Sequence, residues 1–187
     1  MAKLIYNAMT SLDLYTNDTE GNFDWAAPDP EVHQHVNDAN RGIGLYLLGR
    51  KSYETMIVWD TLEGETEVER DFADIWRAAD KMVFSRTLTA PQTARTTIRT
   101  AFDPSDIRRL KDETEGNISI GGAFLAAEAL VAGIVDEIEL YLNPIIVGGG
   151  TPALPDSLWQ KLDLVDQHRF DSGVVFLRYR CAAEPGT

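Results

Sequence analysis

Apolar and polar positions along this chain follow two periods in turn, and the switches between them mark out the elements. Short apolar runs closed off by turn residues predict strands at Lys3–Ser11, Gly44–Leu48, Lys81–Ser85, Thr96–Thr100, Asn117–Ile120 and Asp136–Leu142. Helical spacing fills the gaps between them. It predicts helices at Asp29–Asn40, with Pro30 in the first turn, at Arg50–Ile57, and at Glu67–Ala79. The third of these carries Val68, Phe72, Ile75, Trp76 and Ala79 on one face. Asp103 is placed to cap a helix that has Pro104 at its first position and runs through Asp112, and a last helix covers Ala123–Ala132. Leu162–Phe170 and Val174–Arg180 flank Asp171-Ser172-Gly173, which predicts an antiparallel hairpin.

Strands alternating with helices predict an α/β, three-layer fold. Its central sheet is mixed but mostly parallel, with helices on both faces and the C-terminal antiparallel hairpin at one edge. The 187 residues, 44% of them hydrophobic, suit one domain over 1–181. A chain this long buries roughly 70% of its unfolded surface, so it needs no disulfide or metal staple. The tail 182–187 is expected to be flexible. Cys181 stands alone, so it is read as a small packed hydrophobe.

Charge and composition narrow the partners. Thirty acidic residues against 17 basic ones leave a net charge of −13. That field repels nucleic-acid phosphates and anionic lipid, so no nucleic acid and no membrane is expected. No segment approaches the ~20 apolar residues of a membrane span, and no basic stretch followed by an apolar run opens the sequence, which makes a cytoplasmic location the expectation. An anionic cofactor stays possible, because a few arginines and helix N-termini can build a local positive pocket in an acidic protein.

Four motifs could form such a pocket. Gly121-Gly122-Ala123 joins the strand NISI to the helix opened by Ala123, Phe124 and Leu125, where backbone amides could receive a phosphate. It lacks the third glycine of the dinucleotide fingerprint. Gly49-Arg50-Lys51-Ser52 also lies between a strand and a helix and offers two cations and a hydroxyl. Ser85-Arg86 follows the strand KMVF and offers the hydroxyl and guanidinium that a ribose 2′-phosphate calls for. Gly148-Gly149-Gly150 implies a close backbone approach. Taken singly, each is also read as a tight turn or a solvated cap. All four fall at the carboxyl ends of predicted strands, the rim where open α/β sheets bind ligands.

Other chemistry finds less support. His33 and His35 face about 200° apart on a helix and cannot share a metal. There is no Cys/His cluster, and no G-x-S-x-G elbow anchors a serine nucleophile.

The motifs resemble the dihydrofolate-reductase-like superfamily. More narrowly, they resemble stand-alone proteins related to the reductase domain of bacterial riboflavin biosynthesis, the RibD C-terminal domain. The ordered set comprises Thr10-Ser11-Leu12-Asp13, Gly49-Arg50-Lys51-Ser52-Tyr53-Glu54, Phe84-Ser85-Arg86-Thr87-Leu88, Gly121-Gly122, Val135–Leu140, Pro144–Gly150 and Ser172-Gly173-Val174-Val175. The resemblance implies a reductase that binds NADPH. Its phosphates would lie on Gly49–Ser52 and Gly121–Leu125, with the 2′-phosphate at Ser85 and Arg86. The small-molecule substrate, pterin-like or riboflavin-precursor-like, would sit between the Asp13–Trp25 loop and the first helix. By position, Asp29 and Glu31 are candidates for assisting protonation. Trp25 is a candidate lid or stacking group, and Asp13 a polar contact at the reactive end of the cofactor. A homodimer is implied as well. Two positions depart from the family pattern: Leu14 stands where glycine is usual, and Ser52 where threonine is usual. Three other readings stay open: a nucleotide-binding protein that holds NADPH or a flavin without turnover, a true dihydrofolate reductase, and a scaffold for a protein partner.

Overall fold

The computed structural model describes residues 1–182, and in it each apolar run is a strand. They are β1 Leu4–Thr10, β2 Ile43–Gly49, β3 Asp80–Phe84, β4 Thr96–Arg99, β5 Asn117–Gly121, β6 Glu137–Leu142, β7 Leu162–Arg169 and β8 Val175–Cys181. The helices are α1 Pro30–Asn40, α2 Arg50–Met56, α3 Val58–Thr61, α4 Glu67–Ala78, α5 Pro104–Glu113 and α6 Ala123–Val131. Two elements carry no advance signal in the sequence, α3 and a 3₁₀ turn at Asp24–Ala26. Both are too short to display a hydrophobic period. Among the described residues, no helix is long and apolar enough to cross a membrane.

Helix starts follow the local chemistry. Asp29 accepts hydrogen bonds from the Glu31 and Val32 amides at 2.8 and 3.0 Å, with Pro30 inside the first turn. Thr66 and Glu69 form a reciprocal capping box on α4, and Asp103 accepts from the Ser105 amide on α5.

The strands form one sheet in the order β4-β3-β2-β5-β1-β6-β8-β7. Neighbours from β4 through β6 pair in parallel, β6–β8 and β8–β7 pair antiparallel, and so β8 alone runs against the rest. Side chains alternate between the two faces of each strand. Leu45 and Leu47 of β2, with Leu4, Tyr6, Ile118 and Ile120, pack beneath α5 and α6. Tyr46 and Leu48, with Val83 and Tyr141, pack on the opposite face against Val32 and Val36 of α1 and Phe72 and Trp76 of α4. The result is the three-layer α/β architecture that the alternating pattern predicts. Lys81 lies within the second apolar layer, 1% exposed, with its ammonium 4.8 Å from the centre of the Trp76 ring.

Of the tail residues, Ala182 is held in place: its amide donates to the Lys161 carbonyl at 3.1 Å and its own carbonyl accepts from Gln160 at 2.8 Å. Ala183 to Thr187 lie outside the described residues.

From β2 the chain continues through α2, α3 and α4 to β3 on one side. From the adjacent β5 it continues through α6 to β6, across β1, on the other. The carboxyl ends of β2 and β5 are therefore a topological switch point, where the two connections part and leave a crevice.

Candidate functional site

Glycines form the lip of that crevice. Gly49 leads β2 into α2, Gly121-Gly122 leads β5 into α6, and neither helix start has a side-chain cap, in contrast to α1, α4 and α5. The first amides of α6 thus remain available to an anion. Gly122 adopts φ 96°, and a Cβ there would stand 2.5 Å from the Ser52 hydroxyl. The two turns therefore meet at one point, Ser52 against Gly122, and only glycine fits.

A groove of about 490 Å³ runs along this junction, edged by Gly49, Arg50, Lys51 and Ser52 on one side and Gly122, Ala123, Phe124 and Leu125 on the other. Leu125 also anchors α6 in the core, whereas Phe124 is 76% exposed beside the groove. Arg50 makes only exposed contacts, 3.3 Å to the Thr87 hydroxyl and 3.6 Å to Glu54, and pairs of that kind contribute about 1 kcal/mol at most. The Ser85 hydroxyl is buried and accepts from the Thr87 and Leu88 amides at 3.2 and 2.9 Å. It shapes the turn that holds Arg86 out in solvent, beside the end of β2.

The loop after β1 is fastened to the loop after β6. The Asp13 carboxylate accepts from the Val147 and Gly148 amides at 3.2 and 2.8 Å. The Ser11 side chain and these amides hold its carboxyl below the usual carboxylate range. Thr16 donates to Thr151 and Ala153 to Leu14, both at 2.8 Å. A Cβ on Gly150 would collide with the Asn17 carbonyl. The close approach that the three glycines announce is to the chain's own loop. Leu14 adopts φ 64°, the left-handed conformation.

Between this loop and α1 lies a cavity of about 510 Å³ that joins the groove at Asn7, Met9, Thr16, Ser52 and Gly122. Phe23 and Asp24 of the loop, His33, Val36 and Asn40 of α1, and Thr55 and Met56 of α2 surround it. Trp59, Phe72 and Trp76 wall its apolar side. The His33 ring lies 5.7 and 5.9 Å from the rings of Trp59 and Phe72, and burial pushes its pKa down, which keeps the imidazole neutral at pH 7.

The four residues singled out for catalysis line neither the cavity nor the groove. Asp13 clamps the two loops together. Trp25 turns its indole N–H to the Asn22 carbonyl at 3.2 Å, while its neighbours Phe23, Asp24 and Ala26 face the cavity. Asp29 is engaged as the α1 cap, and the Ser172 side chain together with the Val32 and Glu31 amides lowers its pKa. Glu31 points to the hairpin, accepting from the Asp171 amide at 3.2 Å with His168 Nε2 at 4.0 Å. The titratable side chains that do line the cavity are Asp24, His33 and Tyr46. His33 was discoverable from its spacing, since it shares a helix face with Val36 and Asn40 at i, i+3 and i+7. Ser119 was discoverable too, as the polar position between Ile118 and Ile120 in a buried strand. Asp24 has no such signal, because an irregular loop places it. His35 faces away from the cavity, bonded to the Tyr141 hydroxyl at 2.8 Å, and so the two α1 histidines occupy separate environments. Cys181 is half-buried against the apolar layer under α6, and burial pushes its thiol up to about 11. Among the described residues, no group of three or more His, Cys, Asp or Glu is placed to hold a metal ion.

Comparison with known proteins agrees with this architecture. The chain is 27% identical over 179 residues to protein YyaP of Bacillus subtilis (strain 168), itself uncharacterized, covering 95% of this chain and 94% of that one. Its fold matches a Shewanella sp. PV-4 protein named as a candidate riboflavin biosynthesis protein, with a TM-score of 0.78 at 19% identity over 98% of this chain and 100% of that one. It also matches the Thermotoga maritima diaminohydroxyphosphoribosylaminopyrimidine deaminase/5-amino-6-(5-phosphoribosylamino)uracil reductase, with a TM-score of 0.69 at 16% identity. That match takes in 97% of this chain and 57% of the other. The family model of the RibD C-terminal domain spans residues 2–176, and the chain belongs to that family.

Proposed function

We propose that this protein is an NADPH-dependent reductase acting on a small heterocyclic compound. One observation carries the reading: a glycine-lipped groove with two cations joins an apolar cavity at the switch point of the sheet, so that a long anionic cofactor and a flat substrate could meet at Ser52 and Gly122. Family membership and the reductase named among its structural relatives support the same reading. The residues fit the group, since Gly122 has no room for a side chain and the first turn of α6 offers uncapped amides.

In this reading Gly49–Ser52 and Gly122–Leu125 hold the phosphates, and Arg86 meets the 2′-phosphate from the turn that Ser85 shapes. Bound there, the nicotinamide supplies a hydride. The protein contributes position, a largely apolar cavity, and a polar contact for the proton. Asp24 and His33 take the last role in preference to Asp29 and Glu31, because they alone of these four line the cavity. Binding without turnover is the second reading. It is favoured by the places of Asp13, Asp29 and Glu31, all of which are spent on structural contacts.

Titration with NADPH and NADH tests the assignment. We expect micromolar NADPH binding and weaker NADH binding. A charge-assisted contact contributes about 1.5–3 kcal/mol, so Arg86→Ala should raise the Kd for NADPH on the order of 10- to 100-fold and leave NADH nearly unchanged. Equal losses for both would remove Arg86 from the role, and no binding of either would remove the cofactor. Oxidation of bound NADPH on adding a pterin-like or flavin-precursor-like compound separates turnover from binding alone.

A further inference from the structure

The cations of this site are all on one side of it. Arg50 and Lys51 edge the groove, whereas no Lys or Arg occurs among the described residues that line the cavity. Among the described residues, the one acidic side chain in the lining is Asp24, exposed on the loop. A phosphate carried into such a space would give up water without gaining a counter-charge, and it would also face the Asp24 carboxylate. The polar groups deeper in the lining are of another kind. Ser119, buried on β5, makes no side-chain hydrogen bond among the described residues, nor does the His33 imidazole. A free hydroxyl and a free imidazole among flat aromatic walls match the carbonyl and ring-nitrogen groups of a planar heteroaromatic.

We propose that the cavity takes an uncharged, flat heteroaromatic substrate and rejects the same ring system when it bears a phosphate. The inference rests on the reductase reading above and narrows it. Substrate discrimination within this site is then a matter of charge, set by the missing cation and by Asp24.

The test uses ring systems that differ only in the phosphate: riboflavin against FMN, and 6,7-dimethyl-8-ribityllumazine against its 5′-phosphate. Each is titrated by fluorescence quenching into the full chain with saturating NADP⁺, which fills the groove and denies it to the probe's phosphate. Calorimetry of NADP⁺ on the same preparation reports the cofactor reading separately, so failure of one is distinguishable from failure of the other. We expect at least one neutral probe to bind tenfold or more tightly than its phosphorylated partner. Thr55→Lys places an ammonium at the cavity edge on an exposed helix position, so it should shift the ratio of the two affinities tenfold or more toward that phosphorylated partner. Equal or tighter binding of a phosphorylated probe to the unmodified chain overturns the proposal. So does failure of both neutral probes to bind at 1 mM, or a Thr55→Lys variant that binds NADP⁺ normally without the shift.

Discussion

A single side chain shows how the loop over the site is held. Leu14 sits at φ 64°, half-buried against the core layer beneath α6, with its carbonyl accepting from Ala153 at 2.8 Å. A left-handed conformation costs an ordinary residue about 1–2 kcal/mol, and glycine almost nothing. Truncation to alanine keeps that strain and loses the packing, whereas truncation to glycine loses the packing and relieves the strain. We therefore expect Leu14→Gly to be more stable than Leu14→Ala by about 1 kcal/mol, the reverse of the order found in ordinary helix and strand positions. Denaturant midpoints for the two variants measure it, and the usual order would mean that the loop does not hold Leu14 in this conformation. The same scale explains why the conformation at position 14 was not legible in the sequence. The identity of the residue is in the sequence, but the φ angle is imposed by loop contacts to Thr151 and Ala153.

Among the elements, α1 carries the most chemistry. It begins on the Asp29 cap, turns His33 to the cavity, and turns His35 to Tyr141 and the β8 side of the sheet. Burial lowers the pKa of both imidazoles. Glu69 and Asp71 oppose the effect at His33; at His35 the neighbouring His168 and Arg178 add to it, while Asp166 and Glu139 oppose it. The sign follows from linkage. An unfolded chain protonates these histidines near pH ~6.5 while the native state resists, so stability is full above that range and is lost as pH falls through it. Asp29 and Asp71, whose pKa values are lowered, lose their contribution only further down, below about pH 4. The melting temperature should therefore be level from pH 8 to 7 and fall between pH 6.5 and 5. A His33→Gln, His35→Gln double variant should flatten that step. A wild-type chain as stable at pH 5 as at pH 8 would contradict the burial of these rings. The helix itself was legible from Pro30, Asp29 and its period. Which histidine meets the cavity depends on how α1 packs on α4 and the sheet.

At the scale of the whole molecule, the net charge of −13 acts on everything at once. A domain of this length has a radius of gyration of about 16 Å. The Debye length is about 30 Å at 0.01 M salt and about 8 Å at 0.15 M. At low salt nearly every carboxylate therefore repels the rest, and near physiological salt only neighbours do. Self-repulsion of this kind weakens the compact state, so raising NaCl from 0.01 to 0.15 M should increase the melting temperature by a few degrees. A melting temperature that falls with salt would show that the surface ion pairs outweigh the net charge.

The sequence by itself determined the order and kind of nearly all the elements, the mostly parallel sheet, and the glycine turns at its carboxyl rim. These depend on local spacing: a period of 2 or 3.6, a cap, a glycine where no side chain fits. It also carried Ser52 and Gly122, although 70 residues separate them and only the adjacency of β2 and β5 brings them into contact. The tertiary structure alone decided which polar groups face the cavity. Asp13, Asp29 and Glu31 lie near it in sequence but spend their carboxylates on a loop clamp, a helix cap and the hairpin, because a backbone amide without a partner is costly and the nearest carboxylate takes it up, and Trp25 turns its indole N–H to the Asn22 carbonyl. Asp24 and His33 remain for the cavity because the packing of the loop and α1 leaves them no closer partner to satisfy.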